Sequence, residues 1–212
     1  MSTRVKYPRT PHLPWSPGIT GDDVLLDSIK HLEQLNDIVV TEKLDGENTT
    51  LYHDYLHARS VDGTSHVSRN WLKRFHAAMG YKIPPALRIC GEYMFAQHSI
   101  FYKRLSSYFY VFAIFQNDLC LSWDDTVAWC KKLALEPAPV LYRGPWNESQ
   151  IRLCWRTVSF YGDEQEGYVV RNAAAFPFVE FNDNVAKYVR ADHVRTTKHW
   201  KRAAVVRNQL AQ

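Results

Sequence analysis

The run Tyr108–Phe115 is almost wholly apolar and rich in aromatic and β-branched residues. A segment of that length and character reads as a strand covered on both faces, because a half-solvated strand would alternate apolar with polar residues. A chain containing such a strand needs at least two layers. The other short runs say what the layers are made of. Ile38–Lys43, Thr49–Tyr55, Leu56–Val61, Leu87–Phe95, Leu119–Trp123, Gly167–Arg171, Phe176–Phe181 and Ala186–Arg190 read as strands, many of them bounded by turn signals. Helices are predicted from Asp22 or Asp23 to about Leu35, from Ser68 through Met79, from an Asp124 cap through Leu135, over Glu148–Arg156 and over Thr197–Leu210. Strands and helices do not alternate strictly. The expected class is therefore α+β, with antiparallel sheets, rather than a doubly wound fold.

Composition excludes several alternatives. The 212 residues are 46% hydrophobic and 23% charged, ordinary values for a folded chain and wrong for global disorder. No stretch is long and apolar enough to span a membrane, and the N-terminus lacks a signal-peptide pattern. Cys90, Cys120, Cys130 and Cys154 show no metal-ligand spacing and sit in apolar segments, so they read as reduced core thiols of a cytoplasmic protein. Aromatics are 14% of the chain, which fits either a thick sheet core or base-stacking surfaces. Net charge is +4, and from Lys187 to Arg207 seven Lys and Arg residues face only Asp192. That cluster fits a phosphate-rich partner or a solvated basic helix. Residues 1–20, with Pro8, Pro11, Pro14 and Pro17, read as an extended arm.

Chemistry concentrates in Thr41–Thr49. Lys43 ends a predicted strand and enters the turn Asp45-Gly46, where glycine allows the backbone to turn tightly. The turn also suggests a hairpin between the flanking strands. A lysine held at a strand end is a nucleophile if its proton is removed, and equally an exposed hairpin lysine if it is not. Taken singly, other residues are just as open. Glu92 and Glu166 suit cleft carboxylates or solvent-facing strand ends, and Phe112 suits a stacking ring or plain core. Arg59 has Asp54 and Asp62 as alternative partners, and Lys187 belongs equally to a basic surface.

Taken together and in order, these segments resemble the covalent nucleotidyltransferases, the superfamily of DNA ligases, RNA ligases and capping enzymes. Lys43-Leu44-Asp45-Gly46 is similar to the nucleotidyl-lysine motif, and its extension to Asn48 resembles the RNA ligase 2-like branch. Arg59-Ser60, Gly91-Glu92-Tyr93, the aromatic strand Phe109–Ile114, Glu166-Gly167-Tyr168-Val169-Val170-Arg171 and Ala186-Lys187-Tyr188 match the further motifs. The resemblance covers roughly residues 42–190. It departs in the fifth motif, where the second lysine is missing and Arg190 is the next cation.

The resemblance implies an ATP-grasp-like ligase adenylylation domain of two packed, mainly antiparallel sheets flanked by helices. It implies Lys43 as nucleophile, with Lys187 on the α-phosphate and lowering the pKa of Lys43 by like-charge repulsion. Asp45, Glu92 and Glu166 would bind Mg²⁺ or Mn²⁺. Glu42, Asn48, Arg59, Glu92, Phe112 and Glu166 would surround ATP, with Phe112 stacking on adenine and Asn48 and Arg59 reaching the RNA end. The implied activity is sealing of 5′-phosphate to 3′-hydroxyl ends in RNA repair. A GTP-dependent capping-type guanylyltransferase and a non-catalytic nucleic-acid-binding module are the alternatives. The chain ends soon after the fifth motif, so a single domain over 1–212, without a C-terminal OB domain, is expected. Lys198, Lys201 and Arg202 of the basic 196–212 helix are then the candidate RNA contacts. The chain shows no phosphate-binding loop of the kinase type, so a separate end-healing kinase or phosphatase is the expected partner.

Overall fold

The computed structural model describes residues 4–19, 21, 23–61, 66–191 and 205–211. Lys198, Lys201 and Arg202 lie outside them. In chain order the strands are β1 (Ile38–Lys43), β2 (Glu47–Leu51), β3 (Leu56–Ala58), β4 (Leu87–Tyr93), β5 (Phe109–Gln116), β6 (Leu119–Cys120), β7 (Glu136–Pro137), β8 (Val140–Gly144), β9 (Gly167–Asn172), β10 (Phe176–Pro177) and β11 (Val185–Val189). The helices are α1 (Lys30–Glu33), α2 (Asn70–Met79), α3 (Trp123–Leu133), α4 (Glu148–Arg152) and α5 (Phe181–Asn184).

The strands form two sheets. One has the order β11-β9-β1-β8 and the other β10-β6-β5-β4-β2-β3, with β7 added beside β5. Every pairing is antiparallel except β5 with β7. The expected α+β class with two mainly antiparallel sheets is what forms. Side-chain alternation then sorts the residues. Ile38 and Val40 of β1, with Tyr168, Val170 and Ala186, pack under α4 and the N-terminal segment. On the opposite faces, Val39, Val169 and Val185 meet Phe112, Ala113 and Phe115 of β5 between the sheets. The third core lies behind β4 and β5, against α2 and α3.

Three expectations fail for physical reasons. β1 and β2 do not form a hairpin: β1 pairs with β8 and β9, and β2 with β3 and β4, so Leu44–Gly46 carries the chain from one sheet to the other. An Asp-Gly pair signals a sharp change of direction and does not choose between these outcomes. Gly46 does not take a positive φ. It is small because a Cβ there would stand 2.6 Å from the Tyr93 carbonyl oxygen and 2.7 Å from Met94 Sδ. The predicted helix from Asp22 or Asp23 shrinks to α1, because residues 11–13 pair with the free edge of β11 and residues 24–26 pair in turn with His12. Leu13 N donates to Lys187 O, Lys187 N to Pro11 O, and Leu26 N to His12 O. The helix predicted over Thr197–Leu210 fails where it is described: residues 205–211 are extended, bridging Ala96 and Leu105, and the wholly buried Asn208 anchors them, while its earlier part lies outside the described residues.

Smaller corrections follow the same logic. Ser122, not Asp124, caps α3, accepting from Asp125 N at 3.0 Å. The strand expected over Phe176–Phe181 is cut to two residues, with Pro177 unable to donate to a ladder and a 3₁₀ turn and α5 following. All four cysteines are free and buried, as expected.

Gly167 tests the sheet that carries the cleft. It pairs with Lys43 on one side and Val189 on the other, and a Cβ there would fall 1.9 Å from the Tyr188 carbonyl oxygen. That neighbour is backbone and cannot rotate away. Gly167→Ala should lower stability by on the order of 3 kcal/mol in urea unfolding, at the upper end of overpacking costs. A loss under about 0.5 kcal/mol, the scale of an ordinary surface substitution, would mean β11 can slide without cost.

Candidate active site

A cleft of about 230 Å³ lies between the sheets. The small sheet supplies its floor with alternate residues: Thr41 and Lys43 from β1, Val169 and Arg171 from β9, Lys187 from β11. The large sheet faces them with Asn48, Glu92 and Phe112. Asn48 and Glu92 are a cross-strand pair of β2 and β4, which places both on one face. Phe112 reaches the cleft through a register shift. Gly91 pairs with Val111 and Cys90 with Ala113, leaving Phe112 as the extra residue of a bulge, so that it and Ala113 both line the cleft. Its carbonyl oxygen accepts from Arg171 Nη1 across the gap at 3.3 Å, and Arg171 Nη2 donates to Leu121 O at 2.7 Å. Arg171 thus ties the two sheets beneath the cleft, a role its place in the sequence does not announce.

The turn after Lys43 is fixed from three directions. Asp45 Oδ2 accepts from Ser99 N at 2.7 Å and Ile100 N at 2.9 Å. Asp45 N donates to Tyr102 Oη at 3.0 Å, and Gly46 N donates to Glu92 Oε1 at 3.1 Å. Asp45 therefore pins a loop here as well as standing near the lysine. Tyr102 is itself held, its N–H donating to Asn208 Oδ1 at 2.9 Å.

Lys43 Nζ donates to Glu166 Oε2 at 2.6 Å, with the lysine side chain one-quarter exposed and Glu166 buried. Burial lowers the lysine pKa, but Glu166, Glu92 and Asp45 raise it by more, and the net direction is upward. The expected depression by Lys187 is therefore not the outcome: the carboxylates of Glu166, Glu92 and Asp45 decide the direction. Burial pushes Glu166 up to about 7 against the opposing pull of Lys43, and Glu92 up to about 8. Burial also raises Glu42, whose Oε2 accepts from Phe160 N at 3.1 Å.

Lys187 is lowered, by burial first and by Lys43 in the same sense, while Asp23 opposes the shift. Arg59 lines the mouth of the cleft, with burial and Arg9 lowering its pKa and Asp23 raising it. Arg190 points elsewhere: its guanidinium pairs with Glu164 at 3.1 Å, and it does not line the cleft, so it does not replace the missing second lysine there. Tyr7 of the N-terminal segment, not among the residues expected at the site, meets Phe112 edge-on at 4.9 Å and Phe181 at 5.2 Å. Burial raises its pKa strongly. Among the described residues no three His, Cys, Asp or Glu side chains are grouped closely enough to hold a metal ion by themselves.

Lys43 thus stands at the end of a strand as an ammonium among buried carboxylates, on one sheet face with Lys187, between two antiparallel sheets. The chain belongs to the RNA ligase family, which matches residues 36–189. Its fold is similar to that of a Naegleria gruberi RNA ligase mutant solved with ATP and Mn, at 17% identity and TM-score 0.54, over 79% of this chain and 53% of that one. The same ligase with pyrophosphate aligns over 89% of this chain and 61% of that one, at 16% identity and TM-score 0.52. A putative ATP-dependent DNA ligase from Aquifex aeolicus aligns over 87% of this chain and 50% of that one, at 20% identity and TM-score 0.52. The chain thus spans between half and two thirds of the length of these structures. Among curated proteins none is significantly similar.

The raised carboxyls give a pH dependence with a definite sign. Below its ordinary 4.5, Glu92 is protonated whether the chain is folded or not. Between 4.5 and about 8 the unfolded chain ionises first, so the folded state loses stability as pH rises through that window. In metal-free, nucleotide-free protein, Glu92→Gln should flatten this decline, read as a smaller change in urea midpoint between the two ends of the window. An equally steep decline in the variant would mean Glu92 is ionised without cost.

Proposed function

We propose that the protein is an ATP-dependent RNA ligase that carries AMP on Lys43. The observation that supports this most is the Lys43–Glu166 contact of 2.6 Å on the floor of the cleft, with Lys187 on the same sheet face. Lys43 Nζ attacks the α-phosphorus of ATP; an N–P bond forms and the P–O bond to pyrophosphate breaks. The lysine must first lose a proton, and Glu166 is the group within reach to accept it, raised by burial toward neutral pH where a base is most useful. Lys187 holds the α-phosphate oxygens by charge. AMP then passes to the 5′-phosphate of an RNA end, and the 3′-hydroxyl displaces it to close the strand.

Mg²⁺ takes one or two carboxylates plus substrate phosphates and does not require a cage made only of protein. The buried oxygen donors Glu92 and Glu166 fit that mode and would hold Mg²⁺ or Mn²⁺; when bound, the ion neutralises phosphate charge. Asp45 joins them only through an oxygen its loop bonds leave available. Phe112, raised into the cleft by its bulge, forms the purine-stacking surface, and Glu42 adjoins the cleft from β1 of the opposite sheet. Arg59 at the mouth receives the ribose or the incoming end. Lys198, Lys201 and Arg202 add phosphate contacts to the RNA. Ends with the required 5′-phosphate and 3′-hydroxyl come from a separate healing kinase or phosphatase.

Two experiments test this reading. Incubated with labelled ATP and Mg²⁺ or Mn²⁺, the protein should retain label through denaturing electrophoresis, and Lys43→Ala should abolish it. Lys43→Arg should not restore it, because a guanidinium stays protonated. Labelling by GTP instead of ATP would move the chain to capping-type guanylyl transfer, and no label from either would leave a binding module.

Asn48 separates the steps. Its Oδ1 is buried in the described structure without a hydrogen-bond partner and lines the cleft beside Glu92, so it has an acceptor available for a ligand. Asn48→Ala should keep most self-adenylylation and lose sealing of a 5′-phosphorylated nick by roughly threefold to tenfold, the scale of one lost neutral hydrogen bond. Equal losses in both steps would assign Asn48 to ATP.

A further inference from the structure

The N-terminal segment enters the cleft from outside the part of the chain that the family matches, which begins at residue 36. Its main chain is bonded to β11 on both sides of Lys187: Leu13 N donates to Lys187 O at 2.8 Å, Lys187 N to Pro11 O at 2.8 Å, and Gly18 N to Val189 O at 3.0 Å. The segment is therefore an integral extension of that sheet edge. Its side chains continue the pattern. Val189 N donates to Ser16 Oγ at 2.9 Å, Ser16 Oγ lies 2.8 Å from His12 Nδ1, and His12 Nε2 stands 3.2 Å from Asp23 Oδ1, within ion-pair reach. Asp23 Oδ1 in turn accepts from Lys187 Nζ at 3.1 Å. His12 and Ser16 are almost fully buried, and Lys187 and Asp23 are about one-fifth exposed.

A polar chain of this kind runs from strand backbone to one ammonium, and it ends on the lysine that shares a sheet face with Lys43. Lysine carries a flexible four-carbon stem and loses much rotamer freedom when fixed. An ion pair with a carboxylate that is itself braced meets that cost before substrate arrives. The missing second lysine of the fifth motif makes the placement of the remaining one matter more.

Resting on the ligase reading, we propose that Asp23, braced by His12, is a positioning residue for Lys187, so that the N-terminal segment is a working part of the nucleotidyl-transfer site. Asp23 does not touch the nucleotide in this role; it sets where the Lys187 ammonium stands when charge builds on the α-phosphate.

The test uses the full chain. Asp23→Asn is nearly isosteric and keeps an acceptor but gives up the charge that holds the ammonium. It should slow single-turnover self-adenylylation by about tenfold, as expected when a charged group is misplaced by a fraction of an ångström to an ångström. The dissociation constant for ATP should stay within about threefold and the melting temperature should barely move, since the loss falls on the transition state and not on binding or folding. His12→Gln, acting one link further back, should slow the step less, and combined with Asp23→Asn it should add nothing, the signature of groups acting in series. Asp23→Asn at the wild-type rate overturns the inference. So does a rate loss fully explained by weaker ATP binding or a lower melting temperature, or full additivity with His12→Gln. A wild-type chain that takes no label overturns the ligase reading and this inference with it; a labelled wild type with an unaffected Asp23→Asn overturns the inference alone.

Discussion

Within the three residues Leu44–Gly46 the chain leaves one sheet and enters the other, and the rest of the site is arranged around that passage. The crossing is held by the two backbone N–H groups on Asp45, by the Tyr102 hydroxyl and by Glu92 on Gly46 N. Fixing it fixes the end of β1, and with it the direction in which Lys43 leaves the backbone. A neighbouring strand, β9, starts opposite that lysine at Gly167, which sets Glu166 beside it. The large sheet returns Glu92 from the other side. One local constraint thus draws a lysine and its carboxylates into the same few ångströms from three distant parts of the sequence.

The electrostatic result is a site oversupplied with acid. Burial raises Glu42, Glu92 and Glu166, which means their charges are costly where they stand. Lys43 offsets part of that cost and is held as an ammonium in return. Lys187 is the only other cleft lysine among the described residues, and Asp23 already engages it. A site in this condition gains from added positive charge, and it has a carboxylate within reach of the proton that Lys43 would have to give up. In the proposed nucleotidyl transfer, that positive charge would come from a divalent ion held by Glu92 and Glu166.

Much of this could be read from the sequence, because the site is carried by short segments whose local structure is strongly encoded. β1 forms over the predicted residues, and β4, β5, β9 and β11 lie within one or two residues of prediction. Strand alternation then places Lys43 and Lys187 on one face. What failed was what local pattern does not contain. Asp45-Gly46 signals a turn, but whether the turn closes a hairpin or crosses between sheets depends on partners more than 40 residues away. The stretch from Asp22 or Asp23 to Leu35 has helical spacing, yet residues 24–26 pair with His12, itself held on the β11 edge, and tertiary pairing won over propensity. The bulge at Phe112 exists only as a mismatch between two strands. The acidic excess around Lys43, and the network from Ser16 to Lys187, arise from residues that are unremarkable singly.

The proposed ligase chemistry depends on a covalent bond at Lys43. The most direct measurement is peptide mapping by mass spectrometry after incubation of the full chain with ATP and a divalent ion, with and without mild acid treatment. AMP should be found on the Lys43 side chain and should be released by acid, as a phosphoramidate P–N bond is. AMP on another residue, an acid-stable linkage, or unmodified Lys43 after full incubation would contradict the account.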